Sequence, residues 1–60
     1  MDNEQRVLDL LKKSDMHGAK IAETLKLHPM TVNRLLAVME AKKLIEFDQV
    51  GNAKLWRLVK

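Results

Sequence analysis

Apolar residues recur along this chain with two different periods. Val7, Leu8, Leu10 and Leu11 share one helical stripe, and Arg6, Asp9, Lys12 and Lys13 fall opposite it as a solvated face. Asp2 stands three residues before Gln5, the spacing of a capping box. The pattern predicts a first helix over about 3 to 13. Ser14-Asp15 breaks it, and Met16 follows as a lone apolar residue between polar stretches. Ile21, Ala22 and Leu25 then mark a short second helix opening near Gly18. Pro29 cannot continue a helix interior but suits the first turn of a new one, so Lys26-Leu27-His28-Pro29 reads as a tight turn between two helices. Val32, Leu35, Leu36 and Met39 then give the cleanest amphipathic stripe in the chain, predicting a third helix over about 29 to 42. Its opposite face, with Met30, Asn33, Arg34, Ala37 and Ala41, is of mixed chemistry and low in charge.

From Leu44 the period becomes two. Gly51-Asn52 signals a hairpin, because glycine enters positive φ without steric cost. A two-residue turn there sets Val50 against Ala53, Gln49 against Lys54, Asp48 against Leu55, Phe47 against Trp56, Glu46 against Arg57 and Ile45 against Leu58. This register pairs the two aromatic residues, pairs opposite charges at Glu46 and Arg57, and gathers Ile45, Phe47, Trp56 and Leu58 on one face. The fold class expected is α+β, mostly α: three helices followed by a two-stranded β-hairpin wing over about 45 to 59.

Sixty residues suffice for a single domain, taken as 1–60, and a domain of that length buries only about 60% of the surface its unfolded chain exposes. There is no cysteine, hence neither a disulfide nor a thiolate metal site. His17 and His28 are too few and too far apart for a zinc site, and no metal or cofactor is expected. Apolar runs reach only two or three residues, so the expectation is a soluble protein of the cytoplasm, associated with the nucleoid, with no membrane partner. Eleven Lys or Arg against eight Asp or Glu give a formal charge of +3, which favours a polyanionic partner. No nucleophile with an adjacent base, glycine-rich phosphate loop or framed pair of carboxylates is present, so an enzyme is not expected, nor is a small-molecule ligand.

The order of elements, with Arg6-Val7-Leu8-Asp9-Leu10-Leu11, Ile21-Ala22-Glu23-Thr24-Leu25-Lys26-Leu27 and Thr31-Val32-Asn33-Arg34-Leu35-Leu36 followed by Met39-Glu40 and Leu44-Ile45, resembles the winged helix-turn-helix DNA-binding superfamily. Small bacterial and archaeal regulators, among them the multiple-antibiotic-resistance and arsenical-repressor families, carry patterns of this type. The sequence departs from them at His17 and His28, where a better N-cap is usual, at Lys43, where glycine commonly ends the third helix, and at Ala37-Val38, which replaces a polar pair.

The resemblance implies a double-stranded DNA-binding transcriptional regulator, expected to be a repressor and a homodimer. The third helix would enter the major groove with His28, Met30, Thr31, Asn33, Arg34 and Ala37, where Asn33 suits an adenine edge and Arg34 a guanine edge or a phosphate. Lys20 and Lys26 beside the second helix would meet backbone phosphates, and the wing would add Gln49, Asn52 and Lys54. Trp56 is expected to serve as packing. The competing expectation is a protein–protein interaction module that docks through the apolar Met30, Ala37, Val38 and Ala41 on the third helix.

Overall fold

The structure, a computed structural model, describes residues 2–59, so the two terminal residues of the expected domain lie outside it. Its elements run α1 (Asn3–Lys13), β1 (Met16–His17), α2 (Gly18–Leu25), α3 (Pro29–Ala41), β2 (Ile45–Val50) and β3 (Ala53–Leu58). At the start of α1 the Asp2 carboxylate accepts from the Glu4 N–H at 3.0 Å. Only half of the capping box forms, because the Gln5 amide turns forward and donates to Asp9 at 2.9 Å. Arg6, expected on the solvated face, is instead half-buried. Its guanidinium donates to the Leu25 carbonyl at 3.1 Å and to Asn3 Oδ1 at 3.2 Å, which satisfies a carbonyl at the end of α2 and ties the two helices together.

Helices α2 and α3 end in the same way. Lys26 has φ 58° and Lys43 has φ 63°. At α2 the Leu27 N–H reaches the Ala22 carbonyl at 3.0 Å and the Lys26 N–H reaches Glu23 at 3.3 Å. At α3 the Leu44 N–H reaches Met39 at 3.0 Å and the Lys43 N–H reaches Glu40 at 2.9 Å. Both are Schellman caps, in which the left-handed residue is usually glycine. The cap stops α3 at Ala41, one residue short of the expected end.

The wing differs from the expected two-stranded hairpin. The sheet has three strands in the order β1-β3-β2, because Met16 pairs with Trp56 and His17 with Leu55 in an antiparallel ladder. A strand of two residues is too short to show alternation. Met16 is apolar because it lies beside the tryptophan. Between β2 and β3 all six expected pairs form, from Ile45 with Leu58 to Val50 with Ala53. Gly51 turns the hairpin with φ 60°, as a type II′ turn requires of its first central residue.

Val7 and Leu11 of α1, Ile21 and Ala22 of α2, Val32, Leu36 and Met39 of α3, Ile45 of β2 and Trp56 of β3 form the buried core. Leu8, Leu10, Met16, Leu25, Leu27, Leu35, Phe47 and Leu58 pack partly buried around it. Every element therefore contributes apolar area to one centre, each fully buried large side chain being worth about 1.5–3 kcal/mol. The sheet covers one side of the helices and leaves the outer flank of α3 open.

A lysine in the left-handed region bears a backbone cost of about 1–2 kcal/mol that glycine avoids. Lys43→Gly is therefore expected to stabilise the fold by about 1 kcal/mol, raising Tm by about 4–8 °C. Thermal unfolding followed by circular dichroism checks this, and an unchanged or lower Tm would show that the Lys43 side chain stabilises the fold by as much as its backbone costs.

Candidate nucleic-acid interface

The core stripe of α3 leaves three outward strips on the helix. Met30, Ala37 and Ala41 form the outermost ridge, with Met30 67% exposed. On one flank, Asn33, Ala37 and Glu40 border a cleft of about 520 Å³ whose other walls are His17, Gly18 and Ala19 at the start of α2 and Asn52, Ala53, Lys54 and Trp56 of the wing. On the other flank, Thr31, Arg34 and Val38 border a groove shared with Glu4 and Leu35. A third depression, between α2 and α3, is lined by Lys26, Pro29 and Asn33 among others.

The expected site residues are thus distributed rather than collected in one place. Asn33, Ala37, Asn52 and Lys54 meet in the wing cleft, and Asn33 also reaches the Lys26 depression. Thr31 and Arg34 lie around the helix from it. Lys20 is exposed on α2 and lines none of these depressions, while Met30 stands on the ridge between flanks. The Gln49 side chain donates to the Gly51 carbonyl at 3.0 Å and so braces the turn. The apolar residues of the competing docking expectation are also divided, with Ala37 in the wing cleft and Val38 in the opposite groove.

Several contacts fix the cleft. The Lys54 ammonium sits over the Phe47 ring at 4.6 Å and near the Trp56 ring at 5.9 Å, so its charge is held beside the aromatic pair. The two rings pack tilted, with centroids 5.1 Å apart. Trp56 is only 6% exposed. Its Nε1–H has no partner among the described residues, yet no buried polar side-chain atom there is left unsatisfied, so the exposed remainder includes the N–H edge. That edge opens where Gly18 has no side chain: a Cβ there would stand 3.9 Å from Trp56 Nε1 and 4.0 Å from Asn33 Oδ1. The ring packs as expected, but its one donor faces the cleft, which a cross-strand register alone does not reveal.

His17, expected from the sequence to begin a helix or line the DNA-facing turn, also borders the cleft. Its Nδ1 lies 2.9 Å from the Lys54 carbonyl. A carbonyl only accepts, so Nδ1 carries the proton. His28 has the opposite tautomer, because its Nδ1 accepts from the Met30 N–H at 3.1 Å and caps α3. Both positions were flagged by the absence of an ordinary cap, but the bond from His17 spans 37 residues and has no local signal.

Three cations are ion-paired away from the wing cleft. Lys12 pairs with Asp9 at 3.6 Å and Lys42 with Glu4 at 2.9 Å. On the outer sheet face Arg57 bonds Glu46 at 2.7 Å and also Asp48, and the Glu46 hydrogen bond, with Asp48 beside it, raises the Arg57 pKa further above its ordinary value. Lys20, Lys26, Arg34 and Lys54, the four cations expected to meet phosphate, have no acidic partner among the described residues. Among those residues there is also no group of three or more potential metal ligands, and no helix is long and apolar enough to cross a membrane.

No protein-family model matches the sequence, and no curated protein matches it. Solved structures do. ZitR of Lactococcus lactis superposes with a TM-score of 0.92 at 30% identity over 100% of this chain. The Zalpha domain of zebrafish PKZ, in its apo form, gives 0.88 at 32% identity over 95% of this chain and 91% of its own. The chain belongs to the winged helix-turn-helix superfamily. The homodimeric winged helix-turn-helix DNA-binding domain of Mb0332 from Mycobacterium bovis shares the fold, with a TM-score of 0.91 at 21% identity over 95% of this chain and 53% of its own. The present chain spans 43% of the length of ZitR. In winged-helix terms α2 and α3 are the helix-turn-helix, β2 and β3 the wing, and β1 the short strand that clips the wing to the helices.

The cap at the start of α3 positions the exposed flank of that helix. His28→Ala is expected to cost about 1 kcal/mol, and His28→Asn, whose side-chain oxygen can accept the same Met30 N–H, to restore most of it. Urea unfolding of the three proteins tests this, and equal midpoints for Ala and Asn would show that the cap bond contributes nothing.

Proposed function

We propose that this winged helix binds double-stranded DNA as a transcriptional regulator, with α3 in the major groove and the wing on the backbone. The carrying observation is that the four cations of this surface, Lys20, Lys26, Arg34 and Lys54, are without acidic partners among the described residues, as are Lys13 and Lys43 outside it, whereas Lys12, Lys42 and Arg57 are ion-paired. A polyanion gains most where cations are not already paired, since each phosphate contact releases a condensed counterion. Asn33, Asn52 and the Trp56 N–H add uncharged donors to the cleft. The likeness to ZitR and to the Mb0332 DNA-binding domain supports the same reading.

In this reading Asn33 and Arg34 read base edges or phosphate from two flanks of one helix, with Thr31, Met30 and Ala37 against the groove floor and His28 at its entry. Gln49, Asn52 and Lys54 follow the backbone. One helix reads few bases, so a homodimer on a two-fold site would supply the specificity of a repressor, and the Mb0332 domain is a homodimer. A regulator of this kind would act in the cytoplasm, at the nucleoid. A second reading, docking of another protein on α3, is favoured by the exposure of Met30 and Val38, 67% and 42%. Val38 lies in the Arg34 groove, off the ridge that Met30 shares with Ala37 and Ala41, which narrows the continuous apolar surface.

Fluorescence anisotropy against random-sequence duplex separates the readings. Salt-dependent binding is expected, with Arg34→Ala, Lys26→Ala and Lys54→Ala each lowering the slope of log affinity on log salt by about 1, and Lys12→Ala leaving it unchanged. Absence of binding at low salt, or equal effects of Lys54→Ala and Lys12→Ala, would remove the DNA reading. Val38→Glu would then be the variant to test against protein partners.

A further inference from the structure

His17 holds a place in the cleft that capping does not explain. It stands at the N-cap of α2 but its side chain caps nothing there. The ring spends Nδ1 on the carbonyl of Lys54, at 2.9 Å, and so joins the helix-turn-helix to the wing strand that carries an unpaired cation of the cleft. Nε2 makes no hydrogen bond among the described residues, and the residue is exposed at the cleft rim beside Asn33, Asn52 and Lys54.

This geometry fixes what the ring offers an anion. With Nδ1 protonated by the demand of the carbonyl, a neutral ring leaves a lone pair on Nε2, which cannot donate to phosphate. A second proton turns Nε2 into a donor and adds a positive charge, without disturbing the Nδ1 bond. Imidazole is the side chain whose ordinary charge change falls between about pH 5 and 8. The charged groups around it leave room for this. Lys54 from β3 and Glu40 from α3 line the cleft with opposite signs, Asp15 precedes it on the chain and Lys20 follows on α2. Asp48, in line with His17 across the sheet through Leu55, is held by Arg57.

We propose that His17 positions the wing against the helix-turn-helix and, on taking a proton, adds a positive charge to the cleft, so that DNA binding is coupled to proton uptake. This rests on the DNA-binding reading and makes its pH dependence specific to one residue.

Two substitutions separate the two roles. Asn places an N–H where His has Nδ1, so His17→Asn can keep the bond to Lys54 but cannot be protonated, whereas His17→Ala loses both. Anisotropy with a duplex is measured at two salt concentrations at about pH 8 and about pH 5.5 for wild type and both variants, with His28→Asn as a control for the other imidazole. Wild type is expected to bind about tenfold more tightly at the lower pH, with a salt slope steeper by about 0.9. His17→Asn should match wild type at the higher pH and lose both changes, His17→Ala should bind more weakly at both, and His28→Asn should keep the wild-type pH profile.

Identical pH profiles for wild type and His17→Asn would overturn the proton coupling while leaving DNA binding intact. Unchanged binding at the higher pH by a folded His17→Ala, or by His17→Phe where the alanine variant does not fold, would overturn the positioning role. Failure of wild type to bind duplex at either pH would refute the DNA-binding reading and this inference with it.

Discussion

Trp56 is the side chain on which the arrangement of this domain depends. It sits in the central strand, paired with Met16 of β1 on one side and Phe47 of β2 on the other, and its ring closes the core. A large aromatic there brings more apolar area than any other residue of the sheet. Burying it requires β3 to lie over the helices, and β3 then carries Lys54, with Asn52 of the preceding turn, to the flank of α3. The missing side chain at Gly18 is the complement of the same packing, because it leaves the indole N–H uncovered. One residue thus fixes both the inner wall of the fold and the floor of the cleft.

Electrostatics then divides the surface that this packing leaves. In a chain with a formal charge of only +3, a basic face has to be made by removing acids from one side rather than by accumulating lysines. Glu46 and Asp48 are spent on Arg57 across the outer sheet face, Glu4 on Lys42, and Asp9 on Lys12. Exposed ion pairs of this type add little stability individually. Their consequence is local neutralisation away from the wing cleft, where Glu40 is the only acid among the described residues, while Glu23 lines the Lys26 depression and Glu4 the Arg34 groove.

Much of the fold was legible in the sequence because each long element repeats its own period. The stripe of Val32, Leu36 and Met39, the start of α3 at Pro29 and the six pairs of the hairpin all follow from spacing and turn chemistry. What escaped was non-local or too short to have a period. Two residues of β1 cannot alternate, Arg6 looks solvated until α2 brings the Leu25 carbonyl to it, and the His17 bond to Lys54 closes one end of a β1-β3 ladder that the sequence does not announce. The candidate site was partly readable for the same reason. Asn33, Lys54 and Asn52 are polar residues on identifiable faces, whereas the open N–H of Trp56 depends on what stands opposite it.

Local rules are broken where the helix-turn-helix meets the cleft, and the substitutes have a common character. Helix α1, which lends no residue to the cleft, is capped by Asp2, among the strongest N-caps available. The two helices that border the cleft begin at His17 and His28 instead, and α2 ends on a left-handed lysine where glycine would be less strained. An aspartate at either N-cap would place a negative charge on the face proposed to meet DNA, and glycine at 26 would remove a cation. A serine would cap without charge, but it has no nitrogen to reach the wing carbonyl and nothing to protonate. The exceptions at His17, His28 and Lys26 each trade some helix stability for a neutral or positive group beside the proposed interface, whereas the left-handed Lys43 ends α3 in the same way outside the cleft.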